Sequence, residues 1–369
     1  MNPVRNILHI APANTSNVPW QLVQAERQLG FHSRLVTLFQ DPRDYEQDIC
    51  LNLPFIDMAP TRWIKRLVSH PDKLRVVNVA SVPKHIPIEW RPHSWAEKAL
   101  VNVRDRLWHP RIQAAIRQHR LDDFDCYQLD GGLGLYRSGT FVQRMKALGK
   151  TVICCYTGSD LRTRGVIPAI DRIADLNVTV EYDHLNLHPR IHHVFFPFDA
   201  LPFEPHLHHN NDQPVRIGHA PTNRAAKGSD VIIPILKDIE NELNTETVLI
   251  EGLPYKEALT LKQSCDIFVD QIGDLGYGIN SLEAFAMSIP ACSCLADGFA
   301  EMYPNHPFVE VNAKTLREQL TRLIQEPSLR RRLGQEGRQW VQRVHNAQQV
   351  VTKIHSLAGI PRPREQESL

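Results

Sequence analysis

The 369-residue sequence has no Cys-x-x-Cys pair, no Gly-x-Gly-x-x-Gly after either opening strand, and almost no net charge, +1 at pH 7. It also lacks any apolar run near the ~20 residues that cross a bilayer. Each absence excludes a class of protein. Seven cysteines, at 50, 126, 154, 155, 265, 292 and 294, are odd in number and scattered through apolar runs such as Val152–Tyr156. They read as reduced core thiols of a cytosolic protein, not as a disulfide framework or a zinc site. Without the glycine fingerprint an NAD-dependent dehydrogenase is disfavoured. Asn6–Ile10 is too brief an apolar run for a secretory signal, so a soluble cytoplasmic protein is expected, at most peripheral to a membrane surface. The balanced charge argues against a globally basic nucleic-acid binder, and no nucleic-acid partner is expected.

The length favours two domains. Ile7–Ala11 reads as a buried strand, Pro12–Asn17 as a turn, and a helix follows, capped by Ser16 or Asn17, with Pro19 near its start and Gly30 at its end. Ser33–Phe39 is the next strand, which completes a βαβ unit. Residues 40–120 are less regular. Short buried strands are then expected at Cys126–Leu129, Thr151–Tyr156, Leu176–Val180 and Val194–Phe196. Segment 199–214, with three prolines and a His cluster, reads as an interdomain linker. Strands at Val215–His219, Thr247–Glu251, Asp266–Asp270, Ala291–Leu295 and Phe308–Val311, alternating with helices, predict a second doubly wound domain. A long polar helix over about 328–357 closes the chain. The fold class expected is α/β, two Rossmann-like domains facing across a cleft: 1–200, a linker 201–214, 215–340, and a C-terminal helix with a disordered tail over 341–369.

Two segments carry the chemistry. In GDLGYGINSLEAFAMSIP, beginning at Gly273, glycines 276 and 278 make a turn ahead of a helix that starts near Asn280. The amides of Tyr277, Gly278, Ile279 and Asn280 at such a start form a natural phosphate site. Glu283, one turn in, is within reach of a ribose, although a surface Glu behind a glycine turn fits the same spacing. In APTNRAAKGSD, beginning at Ala220, Arg224 and Lys227 lie in a turn before a helix, where they could clamp a diphosphate or simply be solvated.

Taken with the opening strand, Tyr156–Arg162 (YTGSDLR) and Phe196–Asp199 (FPFD), these segments resemble, in order, the retaining GT-B glycosyltransferases grouped as family 4. There a glycine loop leads to Glu-Ala-Met-Ala-x-Gly-x-Pro, which here reads Glu283-Ala284-Phe285-Ala286-Met287-Ser288-Ile289-Pro290. The resemblance implies sugar transfer from a UDP- or GDP-linked donor to an acceptor, with retention and without a metal. No cofactor is implied beyond the nucleotide-sugar donor. Lys227 would neutralise the departing diphosphate with Arg224 as a second cation, and Glu283 would hold the ribose. The base would lie by Glu251–Tyr255 (EGLPY), chiefly against Glu251, Gly252 and Leu253, while Asp160 and Arg162 would face donor sugar or acceptor. Three departures stand out. The family's first Glu, eight positions before Glu283, is Leu275 here, with Asp274 beside it as a substitute; Ser16-Asn17 replaces Gly-Gly in the first loop; and Thr157 stands where a His often precedes Gly-Ser-Asp. They motivate a second reading, a non-catalytic nucleotide- or glycan-binding protein, and a third, an enzyme such as a sugar-nucleotide epimerase.

Other features compete for attention. Asp123–Asp125 matches a metal-binding DxD string but leads straight into a strand, and the His-rich stretches at 184–193 and 206–209 lack a converging ligand set. Between 60 and 120, thirteen Lys and Arg face four Asp and Glu, interleaved with Trp63, Trp90, Trp95 and Trp108. That stretch suits either a solvated face with Trp rings in the core or a peripheral contact with an anionic membrane or acceptor.

Overall fold

The computed structural model describes residues 4–41, 43–54, 86–92, 94–158, 160–206, 213–273 and 276–363. Contacts divide the chain into two units, Met1–Pro197 with Ala347–Leu369, and Phe198–Asn346. Residues 198–206 and 341–346 thus belong to the second unit, beyond the 215–340 span expected for it. His206 shows why: its ring bonds the Gln263 carbonyl at 2.7 Å and Asp266 at 3.2 Å.

The first unit is built on a seven-stranded sheet: β1 (Asn6–Ala11), β2 (His32–Thr37), β3 (Ile49–Cys50), β4 (Cys126–Asp130), β5 (Thr151–Tyr156), β6 (Leu176–Thr179) and β7 (Ile191–His193). The order is β3-β2-β1-β4-β5-β6-β7, and every pairing is parallel. Parallel strands are covered on both faces, which is why runs such as TVICCY are apolar throughout. The strand expected at Val194–Phe196 is displaced: Asn177–Thr179 of β6 takes 191–193 as its partner. Asp125 of the DxD string accepts the amides of Arg5 and Asn6 at 3.1 and 3.0 Å, which pins the start of β1 beside β4.

Helix α1 (Val18–Gln28) follows β1 with Pro19 in its first turn. Asn17 does not cap it with its side chain, whose oxygen accepts from Asn14 instead. The irregularity expected up to residue 120 is corrected by α2 (Trp95–His119), a 25-residue helix capped by Ser94, which accepts the Glu97 amide at 3.1 Å. Pro110 lies inside it, and Leu100, Val103 and Leu107 are exposed, so no clean apolar stripe announces this helix. Of the basic stretch, residues 60–85 and 93 lie outside the described residues. Trp108 is buried beneath the Arg104 guanidinium, 4.3 Å from the ring centre, whereas Trp95 is exposed. Helix α3 (Thr140–Ala147) leads to β5.

The second unit has five parallel strands: β8 (Val215–His219), β9 (Thr245–Leu249), β10 (Ile267–Gln271), β11 (Ala291–Ser293) and β12 (Val309–Glu310), in the order β12-β11-β10-β8-β9. The chain winds outward in opposite directions from β8 and β10, so the topological switch point lies between them. The longer helices among the described residues of the unit are α4 (Ser229–Glu242), α5 (Tyr255–Gln263), α6 (Ile279–Ala286), α7 (Leu316–Gln325) and α8 (Pro327–Val344). Helix α8 packs backbone-close on α6 and the turn after it. A Cβ on Gly334 would come within 1.9 Å of the Ser288 carbonyl oxygen, and one on Gly337 within 2.1 Å of the Phe285 ring.

The single helix expected over 328–357 is in fact two. It breaks at His345–Asn346, where the His345 carbonyl accepts the Phe198 amide at 2.8 Å, and α9 (Ala347–Leu357) joins the first unit. There, on α1, buried Glu26 receives His9 at 2.8 Å, Ser33 at 2.6 Å and His355 of α9 at 3.0 Å.

Candidate functional site

In open parallel sheets ligands bind beyond the carboxyl ends of the strands at the switch point. In the second unit that place is flanked by the loop after β8, carrying Arg224 and Lys227, and the loop after β10, which leads into α6.

The first loop is shaped by its caps. The Asn223 side chain accepts the Ala226 amide at 3.2 Å and opens a single turn, Arg224–Lys227. That turn stops at Gly228, whose φ of +72° needs no Cβ; one added there would sit 2.6 Å from Ile272 Cγ1. Ile272 in turn donates to the Lys227 carbonyl at 3.1 Å, so the two loops are stitched together. Behind them, His219 at the end of β8 bonds the Val269 carbonyl through Nδ1 and Ser229 through Nε2, each at 2.8 Å. A carbonyl only accepts, so Nδ1 carries the proton and Nε2 accepts from Ser229. Burial lowers the pKa of this ring and keeps it neutral.

Lys227 is the cation of the site. Its Nζ donates to Asp270 Oδ1 at 2.9 Å and Gln271 Oε1 at 2.6 Å, which commits two of its three N–H groups. The same ammonium abuts Gly278: a Cβ there would lie 3.3 Å from Nζ. Any side chain at 278 would crowd the lysine and Asp270, which is a reason for glycine at that position. Asp270 organises the cluster, with Oδ2 accepting from the Gly278 amide at 2.8 Å and the Ser281 hydroxyl at 2.7 Å. Burial alone would raise this carboxyl; the Lys227 charge and these hydrogen bonds outweigh it and hold the group below the usual carboxylate range.

Of the four amides expected to hold phosphates, that of Gly278 is therefore committed to Asp270. The amides of Ile279 and Asn280, at the first positions of α6, have no carbonyl one turn earlier in the helix to bond. The Tyr277 ring does not face this place; it is buried against Phe299, Phe308, Trp340 and His345. Gly276 takes a φ of +141° in the approach, and Asp274 and Leu275 lie outside the described residues.

Glu283 is not the surface group that its spacing allowed. It is buried, its Oε1 accepting from Tyr255 at 2.9 Å and its Oε2 paired with Lys262. Lys262 also donates to Asn280 at 2.7 Å and stands 4.8 Å from the Phe268 ring centre. Sequence reasoning passed over Lys262 and Asp270, and placed Tyr255 only in the segment expected beside the base. A lysine in the last turn of an ordinary helix gives no local signal, since that is where cations are commonly found, while an aspartate next to the end of a strand gives only a weak one. Arg224 is engaged by Glu251 in a forked pair at 2.8 and 2.5 Å. That hydrogen-bonded pair raises the arginine and lowers the glutamate. Gly252 and Leu253 follow Glu251 in the loop before α5, with no atom within 4 Å of a Cβ on Gly252.

The remaining two site residues lie in the first unit. Asp160 accepts the amides of Thr157, Gly158 and Leu161 at 3.2, 3.3 and 2.8 Å. Arg162 donates to Asp183 at 2.7 Å and Glu181 at 2.9 Å. Burial pushes Glu181 up to about 7 against the pull of Arg162.

Residues 236–340 match the family model described as Glycosyl transferases group 1. That span covers Glu251, Lys262, Asp270 and Glu283 and begins after Lys227. No curated protein matches the chain in sequence. Among solved structures it is similar to sucrose-phosphate synthase from Thermosynechococcus elongatus, at 14% identity over 96% of this chain and 98% of that one, with a TM-score of 0.58. HepE of Anabaena, solved with UDP-glucose, is similar at 9% identity over 95% and 99%, TM-score 0.54. The glycotransferase of kitacinnamycin is similar at 11% over 98% and 100%, TM-score 0.52. At these identities the likeness is one of fold. The chain has the α/β architecture of GT-B glycosyltransferases, with a parallel sheet in each of two units, and residues 236–340, in the second unit, match the group 1 family model.

Proposed function

We propose that the protein is a glycosyltransferase that moves a sugar from a UDP- or GDP-linked donor to an acceptor, with retention of anomeric configuration. The observation that carries the reading is Lys227 held by Asp270 against the start of α6, at the switch point of the second sheet. In this reading the diphosphate meets the Ile279 and Asn280 amides and the remaining N–H of Lys227. The ribose hydroxyls lie against Glu283, and the base against Gly252–Tyr255. The group 1 match over 236–340 supports it.

The chemistry asked of these groups is electrostatic. As the glycosidic bond to phosphate breaks, negative charge accumulates on the departing diphosphate. A pre-positioned ammonium and a helix N-terminus stabilise that charge without having to reorganise. The same two elements supply the positive charge that other transferases take from a metal, so the transfer is proposed to need none. Asp270 fixes the ammonium in advance, and Lys262 with Tyr255 fixes the Glu283 carboxylate.

Thermal unfolding with UDP and GDP tests the binding step, because a ligand of the native state raises apparent stability. One of the two is expected to raise the Tm, with Lys227→Ala and Glu283→Ala each weakening the effect. Incubation with UDP- and GDP-sugars and NMR of the product anomer then tests transfer and retention. A chain whose Tm moves with no nucleoside diphosphate overturns the proposal.

A further inference from the structure

Beyond the carboxyl ends of β4 and β5, in the first unit, two arginines are placed in a way that the nucleotide site does not account for. Arg164 donates through Nη2 to the Gly131 carbonyl, while its Nη1 is buried with no hydrogen-bond partner. Arg137 lies with its guanidinium carbon 5.1 Å from the Trp90 ring centre, and its Nη1 is likewise buried and unpartnered. Trp90 is held there by its amide, which donates to the Val166 carbonyl at 2.8 Å, two residues beyond Arg164.

The local charges do not resolve this arrangement. The Asp160 carboxylate faces Arg164 but is already bonded to three amides of its own turn. Asp130, next to Gly131, is pushed up to about 8 by burial and by Asp160, so at neutral pH it is largely uncharged. Arg104 is paired with Asp105 at 2.7 Å. Among the described residues no carboxylate is bonded to Arg137. Burial, with Arg164 and Arg104 beside it, brings that guanidinium down to about 9. Buried polar groups are normally satisfied, and a desolvated cation without an acceptor is unfavourable. Two guanidinium groups near enough for the charge of one to act on the other are the kind of donor set that a phosphate or carboxylate fills with paired N–H···O bonds.

We propose that Arg137 and Arg164 form an oxyanion-binding subsite in the first unit, taking the phosphate or carboxylate group of a small molecule. It is built from residues of the first unit alone. If the transferase reading holds, and this step rests on it, the acceptor is an anionic compound held by this pair.

The test uses the full chain carrying Lys227→Ala, so that the second unit's phosphate site is weakened, in a buffer free of oxyanions. Inorganic phosphate and acetate are titrated separately at constant ionic strength, and Tm is followed. One of the two is expected to raise Tm saturably, phosphate alone marking a phosphate site and acetate a carboxylate site. Adding Arg137→Gln is expected to raise the half-saturating concentration at least tenfold. The same substitution should leave Tm unchanged or higher in oxyanion-free buffer, because it removes a half-buried guanidinium whose buried Nη1 has no acceptor; an arginine with a purely structural role would lower it. If Arg137→Gln does not fold, Arg137→Lys, which keeps the charge and loses the fork, is expected to weaken the titration. Equal titrations in parent and variant overturn the proposal, as does a parent that responds to neither anion. Since UDP binding is read in the chain without Lys227→Ala, failure here leaves the nucleotide reading standing, and failure there leaves this one.

Discussion

Lys262→Met is the perturbation that bears most directly on how the second unit holds its site. Lys262 and Glu283 have side chains only 3% and 5% exposed, and their ion pair joins the last turn of α5 to α6. Methionine keeps most of the lysine stem over Phe268 but removes the ammonium, which leaves the Glu283 carboxylate with the Tyr255 hydroxyl as its remaining bond. Removing one partner of a buried pair strands the other charge and costs about 3–5 kcal/mol. Domains are stable by roughly 5–15 kcal/mol, so a large share of the second unit's stability is at stake. Replacing both partners, Lys262→Met with Glu283→Gln, leaves no buried charge and is expected to regain about 2 kcal/mol over the single variant. Urea unfolding followed by circular dichroism, comparing transition midpoints, reads both effects. A single variant that unfolds at the parental midpoint would refute the reasoning, and so would a double variant no more stable than the single one.

Other expectations follow from the same geometry. Burial would by itself raise Glu26, but the charge of His9 and the hydrogen bonds from His355 and His9 outweigh it and hold the carboxyl at about 2, against 4.5 unfolded. The resulting stabilisation, about 3 kcal/mol, is fully present above pH 4.5 and is lost as pH falls toward 2. Glu26→Gln should therefore flatten the first unit's stability between those pH values in acid titrations of unfolding. Gly334→Ala drives a methyl group into the Ser288 carbonyl. It should force α8 off α6 and lower stability by about 1–3 kcal/mol or more, measured by calorimetry; an unchanged Tm would contradict the close contact.

Much of this molecule is local and therefore legible. Two series of short apolar strands alternating with helices announce two parallel sheets, because strands covered on both faces must be apolar throughout. The approach to α6 was readable for the same reason: a glycine turn, a helix start and a carboxylate one turn in are fixed by backbone geometry within a dozen residues. The Lys227 turn, with Asn223 ahead and Gly228 behind, is local too. Helix α2 was not legible, since its exposed leucines and internal proline blur the helical period.

What the tertiary structure alone decided concerns partners far apart in the chain. Lys262 reaches Glu283 21 residues away, Lys227 reaches Asp270 43 residues away, and His355 reaches Glu26 across 329. No spacing rule links such pairs, because their meeting depends on strand order. Only once β8 and β10 are neighbours do the loops that follow them share one end of the sheet, and a lysine that sequence shows merely as a charge in a turn acquires a fixed carboxylate and a helix terminus. Likewise the division of the C-terminal helix between two units is invisible in its uniform polar pattern. It is set by where Phe198 and Glu26 find bonding partners, at His345 and His355.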